Sequence, residues 1–225
     1  MATIKSAFDC YGHFYNLYLE NRKVAECRSV LEIVRKKGNL SISNIIINPP
    51  DAIVIMMNPG SSKPIKNTAE SIEVIDVENF CVEHSMESLV ATKPDNTQSQ
   101  IMNVMNFKGW NHVRVLNLSD IREKDSDKLG GRIRRFEKET LSIVHSIFSS
   151  QRAHERSSLL AVDNVPIIVA WGTKSFMKKY AQRCLTILKS REYYGVVSTQ
   201  SKLYYYHPLT SKIAWVSEIK ELFPE

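Results

Sequence analysis

Cysteine is scarce in this chain and never clustered. Its four residues, Cys10, Cys27, Cys81 and Cys184, form no CxxC pair, the spacing that most zinc and iron–sulfur sites need. No metal and no cofactor is therefore expected. Long apolar runs are also missing: nothing in the sequence reaches the roughly 18 residues of a membrane span. The opening MATIKSAFDCYGHFYNLYLENRK lacks the apolar core of a signal peptide. A cytoplasmic protein with reduced thiols is the expectation. No internal repeat or low-complexity tract is present.

What remains is an ordinary globular composition, 43% hydrophobic and 24% charged over 225 residues. That length suits one domain. Residues 1–50 are expected as an N-terminal extension packing on a core of residues 51–225, and the protein is expected to be a monomer. The net charge of +6 is a mild push toward polyanions such as DNA or RNA.

Apolar positions Val30, Leu31, Ile33 and Val34 fall at helical spacing and predict a helix over 26–37, stopped by Gly38 and Asn39. Residues 41–48 read as a short strand or arm. Ala52–Met57 is a continuous apolar run, as expected of a strand buried on both faces. Residues 61–97 read as long loops, with a helix or strand piece near 72–80. Asp95-Asn96-Thr97 can cap a helix over 98–107, which Gly109 ends. Further strands are predicted at 112–118, 165–171, 196–198 and 203–206. Further helices are predicted at 136–148, at 174–189 behind a Thr173 cap, and at 211–222. Strands alternating with helices predict a three-layer α/β/α fold around a mostly parallel sheet of four to five strands.

The strand ends share a character. The first run exits into Asn58-Pro59-Gly60-Ser61, the second into Asn117-Leu118-Ser119, the third into Trp171-Gly172-Thr173, and the last into His207-Pro208-Leu209-Thr210-Ser211. Singly, each has a plain structural reading as a turn, a loop amide, a helix entry or a solvated ring. In a parallel sheet they converge on the carboxyl edge, where ligands bind.

The order Met56-Met57-Asn58-Pro59-Gly60, then Asn117-Leu118, Ala170-Trp171-Gly172 and His207-Pro208 resembles the uracil-DNA glycosylase superfamily. Its mismatch-specific and single-strand-selective branches are the nearest. The chain resembles still more closely a family of bacterial and phage proteins, known only as a domain of unknown function and related to that superfamily. The likeness covers about residues 53–218 and leaves out the first 50.

The resemblance implies a uracil-DNA-glycosylase-like fold and a DNA glycosylase that cleaves the bond between a base and C1′. Asn58 would orient the attacking water and His207 would donate to the departing base. An aspartate at the Asn58 position would be a stronger aid, and its absence implies a slow enzyme or a good leaving group. Met57, Pro59, Gly60 and Ser61 would line the base pocket. Asn117 would read a base edge, and Trp110 or Trp171 would stack on the flipped base, with Phe80 and Phe107 as further candidates. Ser62, Lys63, Pro208, Leu209, Thr210, Ser211 and Lys212 would contact DNA, Leu209 as a wedge and residues 210–212 at a helix N-terminus. The long 61–97 segment leaves room for a bulky modified pyrimidine, such as one in phage DNA. Two other classes stay open: an enzyme binding or hydrolysing nucleotides or nucleosides, and a non-catalytic nucleic-acid binder. Lys174, Lys178 and Lys179 read first as a solvated helix face.

Overall fold

The computed structural model describes residues 3–36, 45, 48–65, 72–82, 88–161 and 164–223. The predicted arm at 41–48 lies almost wholly outside them. The chain forms a mixed α/β fold built on one sheet, with strands in the order β4-β1-β2-β6-β3-β7-β8 and β5 paired to β1. These strands are β1 (Phe8–Leu19), β2 (Arg22–Arg35), β3 (Ala52–Met56), β4 (Glu73–Asp76), β5 (Leu89–Ala91), β6 (His112–Asn117), β7 (Ile167–Val169) and β8 (Tyr193–Tyr194). The half formed by β6, β3, β7 and β8 is all parallel. The other half begins where β2 joins β6 antiparallel.

Among the described residues the sheet has eight strands, not four or five, because the N-terminal residues enter it. β1 and β2 are a hairpin, closed by Glu20 and Asn21, both with left-handed backbone (φ 49° and 60°). Two such residues make the tight turn whose twist matches the strands. The predicted helix at 26–37 is thus a strand as far as Arg35. Val30 and Val34 pack into the core on one face of the sheet, while Leu31 and Ile33 pack into the core on the other. Burial on both faces removes the polar alternation of a half-exposed strand, and the residue pattern then imitates a helix. Glu32 stays inside because His112 Nε2 and Arg114 Nε lie 2.7 Å from its two carboxylate oxygens. The piece at 72–80 is also a strand, β4.

Helices cover both faces. Helix α1 (Asn96–Lys108) and helix α5 (Trp215–Leu222) pack on one; helices α2 (Ser126–Thr140), α3 (Ala153–Leu160) and α4 (Lys178–Ile187) pack on the other. α1 starts on a full capping box: Asp95 accepts from the Gln98 backbone, and the Gln98 side chain accepts from the Asp95 backbone. α2 begins ten residues earlier than the predicted 136–148 helix and ends at Thr140, where Leu141 turns left-handed. Beyond the exposed Leu141, the apolar residues Val144, Ile147 and Phe148 are buried in an irregular segment. Its carbonyls are taken by arginines instead of by helix bonds: Arg152 donates to Val144, and Arg156 to Ile147 and Ser149. α4 follows a short 3-10 turn over Ser175–Met177, without the predicted Thr173 cap. α5 starts at Trp215, four residues later than expected. Strands β9 (Val197–Ser198) and β10 (Ser201–Tyr205) form a separate two-stranded ribbon.

Candidate functional site

A cavity of about 520 Å³ opens at the carboxyl ends of β3, β6 and β7. That volume is ample for a nucleoside-sized ligand. Its floor is apolar: Leu31, Met56, Val115 and Ile101, from β2, β3, β6 and α1. The strand exits form its walls. Met57, Asn58, Pro59, Gly60 and Ser61 come from the end of β3, Asn117 from β6, Gly172 from β7, and His207, Leu209, Thr210 and Lys212 from the segment after β10.

Backbone bonds bring these exits together. Leu118 N donates to Met56 O at 2.8 Å and Ser119 N to Met57 O at 3.1 Å. Gly172 N donates to Tyr205 O at 2.7 Å, which carries His207 over the mouth. Gly172 has φ 84°, and a Cβ there would lie 3.3 Å from Met57 Cε and 3.7 Å from His207 Cβ. Glycine suits that left-handed backbone.

Asn58 is fixed by two backbone carbonyls. Its Nδ2 donates to Glu123 O at 2.8 Å and to Ile121 O at 3.2 Å. Since both partners only accept, the amide has one sensible orientation. Oδ1 is left as its free acceptor. His207 is polarised in the complementary sense. Its Nδ1 accepts from Leu209 N at 3.2 Å, so the neutral ring carries its proton on Nε2. Burial pushes the imidazole down to about 4, against an opposing pull from Asp95. At neutral pH His207 is an uncharged donor.

Deeper in, two polar side chains lack partners. Asn117 is 0% exposed, and neither its Nδ2 nor its Oδ1 has a hydrogen bond. Arg28 on β2 is 2% exposed, and its Nε and Nη1 are equally unpartnered. Buried polar groups are normally satisfied, and these two lie in one cavity. Four cationic side chains, Arg28, Lys124, Lys174 and Lys212, line the cavity against two carboxylates, Asp95 and Glu123. Glu123 is held by Arg132 at 2.7 Å. Asp95 Oδ1 caps α1 through Gln98 N at 2.9 Å, while Oδ2 lies 4.0 Å from where a Gly60 Cβ would be.

Several expected contacts lie elsewhere. Trp171 is buried in the core, donating to Leu203 O at 2.9 Å. Trp110 packs edge-on against Phe223, and Phe80 edge-on against Tyr15. Phe107 is exposed on α1. Tyr206 is the aromatic lining the cavity. Ser62 turns inward, within 3.2 Å of Thr92 Oγ1, and the Lys63 carbonyl accepts from the same hydroxyl. Pro208 is buried and Ser211 exposed, and neither lines the cavity. Residues 210–212 precede α5 by several positions, so they do not form its first turn. Lys174 lines the cavity and pairs with Asp127. Lys179 pairs with Glu137.

The sequence reading missed Arg28, Asp95, Gln98 and Tyr206 as cavity residues. Asp95 carried a visible capping signal, which hid its place at the cavity. Arg28 carried no local signal, because it reaches the cavity only through the pairing of β2 with β6. Among the described residues no group of side chains could hold a metal ion, and no helix is long and apolar enough to cross a membrane.

With the cavity defined, comparison with known proteins places the chain. A protein family of unknown function, DUF1643, matches residues 80–209. The chain belongs to that family. The matched segment carries Asp95, Asn117, Gly172 and His207 but begins after Asn58 and Arg28. No curated protein and no solved structure matches the chain.

Proposed function

We propose that the cavity is the active site of a DNA glycosylase-like enzyme. It hydrolyses the N-glycosidic bond of a damaged or modified base and leaves an abasic site. One observation carries this reading: Asn58 offers a free, fixed acceptor and His207 a neutral donor, in the same cavity. On this reading the parallel half of the sheet with its flanking helices is a uracil-DNA-glycosylase-like core, to which the hairpin β1–β2 is added.

The chemistry follows from what each group can hold. Asn58 Oδ1 accepts from a water and aims its oxygen at C1′. An amide is no base, so it positions the water without taking its proton. Asp95 Oδ2 is the cavity carboxylate oxygen free to receive that proton. The C1′–N bond breaks with oxocarbenium character, and the electron pair leaves on the base. His207 Nε2–H donates to the base carbonyl as negative charge gathers there. Asn117 presents one acceptor and one donor to the base edge, as a pyrimidine requires. Tyr206 is the aromatic placed to stack on it. The cationic rim of Lys124, Lys174 and Lys212 suits DNA phosphates, and exposed Leu209 is placed to fill the vacated base position.

The test is incubation with DNA containing uracil, mismatched thymine or phage-modified cytosines, followed by hot alkali to break abasic sites. Strand breaks that disappear with Asn58→Ala and His207→Ala support the reading. Intact DNA with every substrate rejects it in favour of a nucleotide-acting enzyme or a non-catalytic binder. Asp95→Asn separates the carboxylate from the cap: asparagine keeps α1 capped but loses the proton acceptor, together with the charge that acts on His207 and Arg28.

A further inference from the structure

We propose that the inner end of the cavity is an anion-binding subsite, in which Arg28 takes a carboxylate or phosphate group of a small ligand. It stands apart from the hydrolysis proposed above, since binding there needs no bond cleavage.

Arg28 comes from the hairpin, on the strand next to Asn117. It is buried, two of its nitrogens have no partner, and it forms no ion pair among the described residues. Burial pulls it down to about 10, and the charges of Asp95, which lines the same cavity, and of Asp120 oppose that fall. It therefore remains charged at neutral pH. A buried charge without a partner costs several kcal/mol. A ligand anion would remove that cost through charge-assisted hydrogen bonds. The apolar floor beside it, Leu31 and Val115, excludes water and strengthens any such contact. Asn117, with both ends of its amide unpartnered, gives the same ligand a second anchor. The amino end of α1 also faces the cavity through Asn96 and Thr97, and a helix start favours negative charge.

The experiment follows thermal unfolding of the full chain with added sodium phosphate, sodium succinate or sodium chloride at matched ionic strength. It uses the natural protein, Arg28→Met and Arg28→Lys. The natural protein should show a saturable rise in Tm with phosphate or succinate beyond that with chloride. Phosphate alone active assigns a phosphoryl group; succinate alone active assigns a carboxylate. Arg28→Met should lose the anion-specific rise and, without anion, unfold at the same or a higher temperature. Arg28→Lys should keep part of the rise. Equal responses in the natural protein and Arg28→Met would overturn the proposal by placing anions on the surface lysines. So would a large fall in Tm for Arg28→Met without anion, because Arg28 would then be structural. No DNA is present, so neither result depends on glycosidic hydrolysis.

Discussion

Two of the buried arginines, Arg28 and Arg152, are treated in opposite ways. Arg152 is saturated. Its Nε and Nη2 each donate to Glu155 at 2.7 Å, and Nη1 donates to Asp120 at 2.6 Å and to Val144 O at 3.1 Å. These neighbours hold its charge well above the usual arginine range despite full burial. Arg28 has no such shell, and burial lowers it. Arg152 stitches the irregular segment after α2 to β1 and to the segment after β6. Arg28 is held ready but unspent. The difference separates a polar group that builds the fold from one that waits for a ligand.

The largest expected effect breaks the saturated side. Arg152→Met leaves Asp120 and Glu155 buried without their cation, and should cost about 3–5 kcal/mol in chemical denaturation. A cost near zero would erase the distinction between the two arginines, since Arg28→Met is expected to be neutral or stabilising.

Next come the catalytic candidates. Asn58→Ala and His207→Ala should each lower base release by about 10²–10³-fold, read by single-turnover kinetics, while folding cooperatively. Equal activity in both variants would leave the cavity as a binding site only.

His207 sharpens the comparison through pH. In the unfolded chain the ring titrates near 6.5, but in the folded chain only near 4. Unfolding therefore takes up a proton between those values, and stability falls as pH drops from 6.5 to 4. Above that window the contribution is complete. Allowing for partial exposure, the loss is roughly 2 kcal/mol. His207→Asn should flatten this part of the stability profile. Asp120, pushed up to about 7 by burial, acts in the opposite sense and is common to both proteins. An unchanged difference across the window would mean that the ring is solvated.

The smallest effect on stability is expected at Asn117. Its amide has no protein partner to lose, so Asn117→Leu should change stability by less than about 1 kcal/mol. The same change should abolish discrimination among bases. A large stability loss would show that the amide serves the fold.

Much of the site was legible because it depends on local chemistry. β3 and β6 announce themselves as short apolar runs, and Asn58, Asn117 and His207 stand where those runs and the one before His207 stop. The Asp95 cap and the Gly109 stop of α1 follow from side-chain size and backbone freedom alone. The hairpin was not legible. Val30, Leu31, Ile33 and Val34 are buried on alternating faces of a central strand, and that pattern has no local feature separating it from a helix. Arg28 was invisible for the same reason, since its role exists only once β2 lies beside β6. The last helix starts late because a turn over Pro208 and Leu209 precedes it, closed by Thr210 N donating to His207 O, and Lys212 N then donates to the Thr210 hydroxyl.

The central claim is that Asn58 and His207 serve hydrolysis of an N-glycosidic bond, and the released base tests it most directly. Modified phage DNA would be incubated with the natural protein and with Asn58→Ala, and the small-molecule fraction weighed by mass spectrometry. A free base appearing with the natural protein and missing with the variant is the result predicted. No free base, or equal amounts from both proteins, would contradict it.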